Sequence, residues 1–295
     1  MEIREIITFL TVADLKSFSQ AAKQLGYTQS AVTLQIKRLE NNLHASLFNR
    51  MNNKISLTDQ GERFYISAQT IVNAFKDAVD TINTPTEIKG TLTIGTIESL
   101  CYSVFPSIIN RFHQLYPHVN INVIIGSPTN LLKDMDNNLI DLVYFMDERR
   151  YSTNWVQVLE APEEIIFATP TNNALVKKNK HSLADLAQLP FILTEKDASY
   201  RNLLDQQLAT NKLSITPFLE SESTSFLLKV LLSSQALTFL PRFTLKEYLR
   251  DKTLREVKVK DFSLSIWRQV VYNKNHHLSK PMQALFTLIA EQEKE

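Results

Sequence analysis

The chain carries one cysteine, Cys101, in 295 residues. An intrachain disulfide is therefore excluded, and a reducing compartment, the cytoplasm, is the expected home. Proline is missing from the first 84 residues, since all ten prolines lie at or after Pro85. That stretch is free to be almost wholly helical. Glycine is scarcer, with five in all and none after Gly126, which argues against glycine-rich phosphate cradles over the rest of the chain. No apolar run approaches the roughly 18 residues that a membrane span needs, and the start, MEIREIITFL, has Glu2 and Glu5 where a secretory signal would be basic. No membrane partner is expected. Also absent are a G-x-S-x-G elbow, a P-loop, a G-x-G-x-x-G turn and any metal-ligand spacing. These absences argue against an enzyme, a metal site and a resident cofactor. A solute-binding protein would need an export signal or lipid anchor, and would have no use for the basic N-terminal region described next.

Net charge is +1, so overall charge says nothing about nucleic acid. Local charge does. From Lys16 to Lys54 the basic residues are Lys16, Lys23, Lys37, Arg38, Arg50 and Lys54, against the single acid Glu40, the excess that a phosphate-contacting surface requires. Inside this window lies SFSQAAKQLGYTQSAVTLQIKRLE. Phe18, Ala21, Ala22 and Leu25 repeat at i, i+3, i+4, i+7 and predict one helical face. Gly26 stops that helix, and Thr28 caps a second one whose inward face is Val32, Ile36, Leu39 and Leu43. Two helices crossing through so short a turn form a helix-turn-helix. A first helix precedes them, with Ile3, Ile6, Ile7, Leu10 and Ala13 predicted inward. After them Leu47–Thr58 reads as a hairpin wing.

Thr58 is also the expected cap of a long helix. Along it Phe64, Ala68, Ile71, Phe75, Ala78 and Ile82 recur at alternating spacings of four and three, the pattern of a coiled-coil seam. Such a narrow stripe is marginal alone, and is buried either by a second copy or by packing on the chain's own second domain. Thr84-Pro85-Thr86 ends the helix as a hinge. From Gly90 onward, strand-like runs (Leu92–Ile97, Val119–Ile125, Leu142–Phe145, Ile165–Thr169, Phe191–Leu193, Ala236–Leu240 and Trp267–Tyr272) alternate with helix-like runs (Val104–Leu115, Leu131–Asn138, Tyr200–Asn211, Phe226–Leu232 and Lys280–Glu291). This alternation predicts a parallel sheet wrapped by helices, with room for two α/β lobes and a cleft between them.

Ser17-Phe18-Ser19-Gln20-Ala21-Ala22, Gln29, Ile36-Lys37-Arg38-Leu39-Glu40, Leu47-Phe48-Asn49-Arg50 and Leu57-Thr58-Asp59-Gln60-Gly61, in this order and with these gaps, resemble the N-terminus of LysR-type transcriptional regulators. Tyr116-Pro117, Asp141 and Thr238-Phe239-Leu240-Pro241 are similar more loosely. The resemblance implies an α+β multidomain chain. A winged helix-turn-helix (1–58) would be followed by a dimerising linker helix (59–84) and a hinge (85–89). The remainder (90–295) would be a two-lobed effector domain like a periplasmic binding protein. Its crossings would fall near Ala161 and Ser265, giving lobe one 90–161 and 266–295 and lobe two 162–265. Double-stranded operator DNA, a small-molecule effector, and a homodimer assembling into a homotetramer are the implied partners.

At the start of the recognition helix Gln29, Ser30, Thr33 and Leu34 are placed to reach base edges. Leu34 stands where the family often has a basic or polar residue. Lys37 and Arg38 suit phosphates, and Arg50 and Lys54 flank the wing tip, although Arg50 is also a candidate structural ion-pair residue. His44 replaces a usual glycine and reads as a turn residue at positive φ. His276-His277 reads as a loop, and Cys101 as a small buried residue rather than a redox sensor. Strand ends nominate the effector contacts: Glu98 and Ser99, Ser127 and Thr129, and Phe145 from one lobe, with Thr194, Tyr200 and Arg201 from the other. Helix starts at Ser99 and Thr129, with Arg201 to clamp a carboxylate, predict a small organic anion. Glu98 stands against it, unless it meets an amine on the same ligand.

Overall fold

The first helix, α1 (Ile3–Leu15), opens with the Glu2 backbone N–H donating to the Glu5 carboxylate at 2.9 Å, which uses one of the N–H groups left unpaired at a helix start. In α2 (Phe18–Leu25) the Ser17 hydroxyl accepts from the Gln20 N–H, and the helix ends at Gly26, φ 71°, a conformation that glycine enters at little cost. Thr28 caps α3 (Gln29–Leu43) by accepting from the Ala31 N–H at 3.2 Å. That helix ends at His44, φ 50°, the left-handed turn expected of it. The computed structural model describes residues 1–51, 54–82, 87–174, 181–262, 264, 266–276 and 278–293. The side chains of Arg50, Lys54 and Ile82, the hinge Thr84-Pro85-Thr86, the crossing at Ser265, and His277 lie outside the described residues.

The wing is β1 (Phe48–Met51) paired antiparallel with β2 (Lys54–Leu57). Glu40 anchors it to the recognition helix: its carboxylate accepts from the Leu47 N–H at 2.9 Å. Thr58 then caps α4 (Asp59–Ile82), accepting from the Gly61 N–H at 2.9 Å and donating to the Ser46 carbonyl at 2.6 Å. One core joins these pieces. Phe9 is fully buried, with its ring 5.3 Å from Phe48 and 5.1 Å from Phe64. Around it lie Ile6, Val12, Ala21, Ala22, Val32, Ile36, Leu39, Leu47, Ala68 and Val72.

Two expectations change here. The buried line of α1 is Ile6, Phe9 and Val12, whereas Ile3, Ile7, Leu10 and Ala13 are half-buried at its border. The helix is enclosed by α2, α3 and α4, so its buried face is rotated from the predicted one. The seam of α4 also divides. Phe64 and Ala68 pack into this unit's own core, while Ile71, Phe75, Ala78 and Val79 are exposed.

Two units, Met1–Thr86 with Asn137–Leu139 and Glu87–Asp136 with Ile140–Glu295, divide the chain. The second begins with β3 (Gly90–Thr96), α5 (Glu98–Ser103), α6 (Phe105–Leu115), β4 (Val119–Ile125), α7 (Pro128–Asp136) and β5 (Leu142–Asp147). Next come β6 (Trp155–Glu163), β7 (Ile165–Pro170), α8 (Leu183–Ala187), β8 (Ile192–Leu193), α9 (Ser199–Thr210), β9 (Leu219–Glu220) and α10 (Thr224–Leu232). It closes with β10 (Thr238–Pro241), α11 (Arg242–Arg250), β11 (Leu254–Val257), β12 (Ile266–Asn273) and α12 (Lys280–Gln292).

These elements make two half-domains. One holds a sheet in the order β4-β3-β5-β12-β6, with a core of Leu92, Ile94, Phe112, Tyr144, Val270 and Leu285 among others. The other holds β10-β7-β11, to which β8 and β9 are attached through a parallel bridge between Phe191 and Leu237. Its core includes Phe167, Phe191, Leu204, Leu228 and Phe239. Neither sheet is parallel throughout: the first is mixed, with β3 parallel to β4 and β5 but β12 antiparallel to β5 and β6, and the second is antiparallel, with β7 between β10 and β11. The alternation of strands and helices could not show this, because β6 and β11 were not among the predicted strands. The β6–β12 ladder, with Glu163 opposite Ile266 and Ala161 opposite Arg268, carries the chain out of the first half-domain and back.

Gly61 sets a sharp steric limit. A Cβ there would stand 2.1 Å from the Leu47 carbonyl oxygen, a backbone atom that cannot swing away. Gly61→Ala is expected to destabilise the N-terminal unit by roughly 1–3 kcal/mol despite alanine's better helix propensity. Hydrogen exchange at the amides of α1 and α4 in the full chain would read the loss.

Candidate functional site

Two surfaces qualify. On the first, α3 presents Gln29, Ser30, Lys37 and Arg38 to solvent, and Leu34 is 50% exposed. Thr33 is half-buried, and its hydroxyl donates back to the Gln29 carbonyl at 2.9 Å. The Ser30 hydroxyl pairs with that of Thr28 at 3.0 Å. Gln29, Leu34, Lys37 and Arg38 are thus free to reach outward, and the two hydroxyls must exchange local bonds to do so. The backbone of Arg50 and Lys54 lies on β1 and β2 of the wing.

The second is a cavity of about 290 Å³ between the two half-domains of the effector unit. It lies beyond the carboxyl ends of β3, β4, β8 and β9, where open α/β sheets hold ligands. Glu98, Ser99, Ser127, Thr194 and Tyr200 line it as the sequence suggested. Three nominated residues do not. Phe145 is fully buried in a small core with Leu131 and Val271. Thr129 is exposed, and its hydroxyl accepts from Arg150 at 3.3 Å. Arg201 is 2% exposed and already committed: its guanidinium donates to the Thr194 carbonyl at 2.7 Å and pairs with Asp205 and Glu220. A guanidinium so satisfied is a strut for the β8 loop and is not available to clamp a carboxylate.

The expected organic anion therefore loses its cation. Glu195, Asp197 and Glu222 line the cavity besides Glu98, and none of the described lining residues is basic. Glu98 crosses the cleft, accepting from the Thr224 N–H at 3.1 Å with one oxygen, while its other oxygen is buried without a hydrogen bond. Glu195 likewise has one buried oxygen without a partner. Glu195 and Asp197 escaped the sequence reading by a few residues, since the end of β8 nominated Thr194. Glu222 follows β9, which is only two residues long and gives no periodic signal.

Other sequence candidates fall outside the cavity. Cys101 is half-buried and does not line it. Burial, then the charge of Glu98, push its thiol above the ordinary range, opposite to what a reactive thiolate needs. His276 stands 3.5 Å from Asp141. Among the described residues no three histidine, cysteine or acidic side chains gather to hold a metal ion, and no helix is long and apolar enough to cross a membrane.

Burial raises the Glu195 carboxyl above the usual carboxylate range, reinforced by Glu222, Glu98 and Asp197. Between the ordinary value and the raised one, the folded chain holds a proton that the unfolded chain has lost. Stability consequently falls as pH rises through that window, and above it ionised Glu195 is a standing cost. Glu195→Gln is expected to raise the melting temperature near neutral pH, with the difference vanishing below the ordinary carboxylate range. Thermal unfolding across pH would check this.

The family described as bacterial regulatory helix-turn-helix protein, lysR family, matches residues 3–62, and the LysR substrate binding domain matches residues 85–294. An uncharacterised regulator of the helix-turn-helix type, YwqM of Bacillus subtilis, is 28% identical over 292 residues, 98% of each chain. The regulator CzcR of the same organism is 31% identical over 210 residues, covering 70% of this chain and 69% of its own. Among solved structures, a full-length OxyR variant from Pseudomonas aeruginosa superposes with a TM-score of 0.76 at 15% identity, covering 98% of this chain and 94% of its own. Full-length CbnR in complex with its target DNA gives 0.66 at 17% identity, covering 99% of each. Exposed recognition helix, wing, linker helix and cleft effector unit are the parts of one kind of molecule: this chain belongs to the LysR family of DNA-binding transcriptional regulators.

Proposed function

We propose that this regulator reads operator DNA as a homodimer joined along the distal half of α4, that two dimers form a tetramer on paired half-sites, and that a small molecule in the cleft changes its hold on DNA. The observation that carries the dimer is the exposed stripe Ile71, Phe75, Ala78 and Val79, with Phe75 48% exposed. Burying a side chain such as Ile, Val or Phe stabilises by roughly 1.5–3 kcal/mol. A second copy of the stripe, facing the first, supplies that burial along a coiled-coil seam. Phe64 and Ala68 are reserved for each subunit's own core.

On DNA, Gln29 is suited to a bidentate pair with adenine, and Leu34 to contact with a thymine methyl. Ser30 and Thr33 serve as adaptable partners once released from their local bonds. Lys37 and Arg38 take phosphates, with Arg50 and Lys54 gripping the backbone or a minor groove beside the wing. Such a protein works where the chromosome is, in the cytoplasm.

Gel shifts with the full chain on the intergenic DNA beside its own gene are expected to weaken steeply with salt. Lys37→Ala and Arg38→Ala should each reduce the salt slope by about 1. Gln29→Ala should cost about 1–3 kcal/mol on the operator and leave non-specific binding unchanged. Sequence-independent binding by the wild type would count against the recognition helix. In sedimentation, Phe75→Asp should dissociate the dimer; a wild-type chain that sediments as a monomer, free and on DNA, removes the α4 interface.

A further inference from the structure

The effector cavity carries charge of one sign, and its ligand class follows from that, provided the cleft is the effector site proposed above. Glu98, Glu195, Asp197 and Glu222 bring four carboxylates to its lining. Against them stand the N-terminal ends of α7, α9 and α10, each equivalent to roughly half a positive charge. About two negative charges or more remain with no cation in the lining to neutralise them. A carboxylate withdrawn from water needs a charged or hydrogen-bonding partner, and one oxygen each of Glu98 and Glu195 has none.

A second observation is independent of the acids. Ser99 lines the same cavity, is 4% exposed, and leaves its Oγ buried without a hydrogen-bond partner. Buried hydroxyls are ordinarily satisfied, and this one can accept from a ligand N–H or donate to a ligand oxygen. An added anion would meet four carboxylates, and the α10 N–H of Thr224 that might receive it already donates to Glu98. A bare metal ion fits poorly as well, because the described acids do not converge in threes. Donors must be spread over one molecule, and 290 Å³ offers the space of about ten waters at ~30 Å³ each.

We propose that the cleft binds a small organic cation, an ammonium- or guanidinium-bearing amine whose N–H donors meet Glu98, Glu195 and Glu222 and whose body lies against Ser99 and Thr194.

Isothermal titration and thermal shift of the full chain with 1,4-diaminobutane, agmatine, arginine and, as an anionic control, succinate would test this. At least one amine is expected to bind saturably and raise the melting temperature with concentration. Glu195→Gln should weaken that amine about ten-fold or more, the loss of a charge-assisted hydrogen bond. Glu222→Gln, at an exposed position where folding is unaffected, should weaken it several-fold. Binding of succinate in preference to the amines, amine affinity unchanged in both variants, or no amine binding at about 10 mM each overturns the cation. The cleft itself is judged separately: Ser127→Trp, which fills the cavity, should alter the operator footprint, and an unaltered footprint would count against the effector site whatever the ligand.

Discussion

The pairing of β6 with β12 is the constraint on which the effector unit depends, because the chain leaves the first half-domain along one strand and returns along the other. Their register brings Glu163 beside Ile266 and Pro162 beside Trp267, so both crossings lie side by side. Arg268 locks this point: it pairs with Glu163 at 2.7 Å and also reaches Glu293 and the Tyr144 hydroxyl. A largely buried guanidinium with three partners holds β12 to β6, to β5 and to α12 at once. The cleft is then the space left between two cores that this ladder joins and that meet again where α5 packs on α10 and α11.

Polar groups bridge them at two places, the Tyr102 and Tyr248 hydroxyls at 3.2 Å and a carboxylate in the cleft. Glu98 comes from the half-domain that Arg268 holds, and its acceptor bond to the Thr224 N–H reaches the other. A charged group used in this way is costly, since its second oxygen is buried and unpaired. Glu195 adds to the cost from the opposite wall. The contrast with Arg201 is instructive: equally polar and more deeply buried, it has every partner it needs, and it supports the β8 loop instead of binding anything.

Much of the N-terminal unit was legible because local signals agreed with tertiary need. Thr28, Gly26, His44 and Thr58 each punctuate a helix by a mechanism readable from residue type, and Val32, Ile36 and Leu39 announce their buried face by spacing alone. Periodicity failed where an element is enclosed on several sides. The α1 helix carries apolar residues nearly all round, so Phe9 and Val12 could not be ranked above Ile7 and Leu10 before α4 was placed. The cleft was legible in outline, since strand ends predict loops, yet its charge was not. Arg201 looked free only because Asp205 and Glu220, one a helical turn away and the other on β9, were not known to be its partners. Glu222 rides on a strand too short to leave a pattern.

The division of α4 explains why one helix can serve both a domain and an assembly. Its first turns are committed to the core by Gly61, which lies against the Leu47 carbonyl, and by Phe64 and Ala68, which face Phe9 and its neighbours. Because Leu47 also hangs on Glu40 of the recognition helix, the axis of α4 is fixed relative to α3 within one unit. At 24 residues and 1.5 Å per residue the helix runs about 36 Å, so its free stripe begins well beyond the core. Any partner that pairs with Ile71, Phe75 and Val79 thereby inherits a set distance and orientation to the recognition helix. A stripe that began at Phe64 would have had to choose between holding the wing and holding a second copy. Starting at Ile71, it leaves the DNA-reading face rigid, and in the proposed dimer the seam would set the spacing of two such faces.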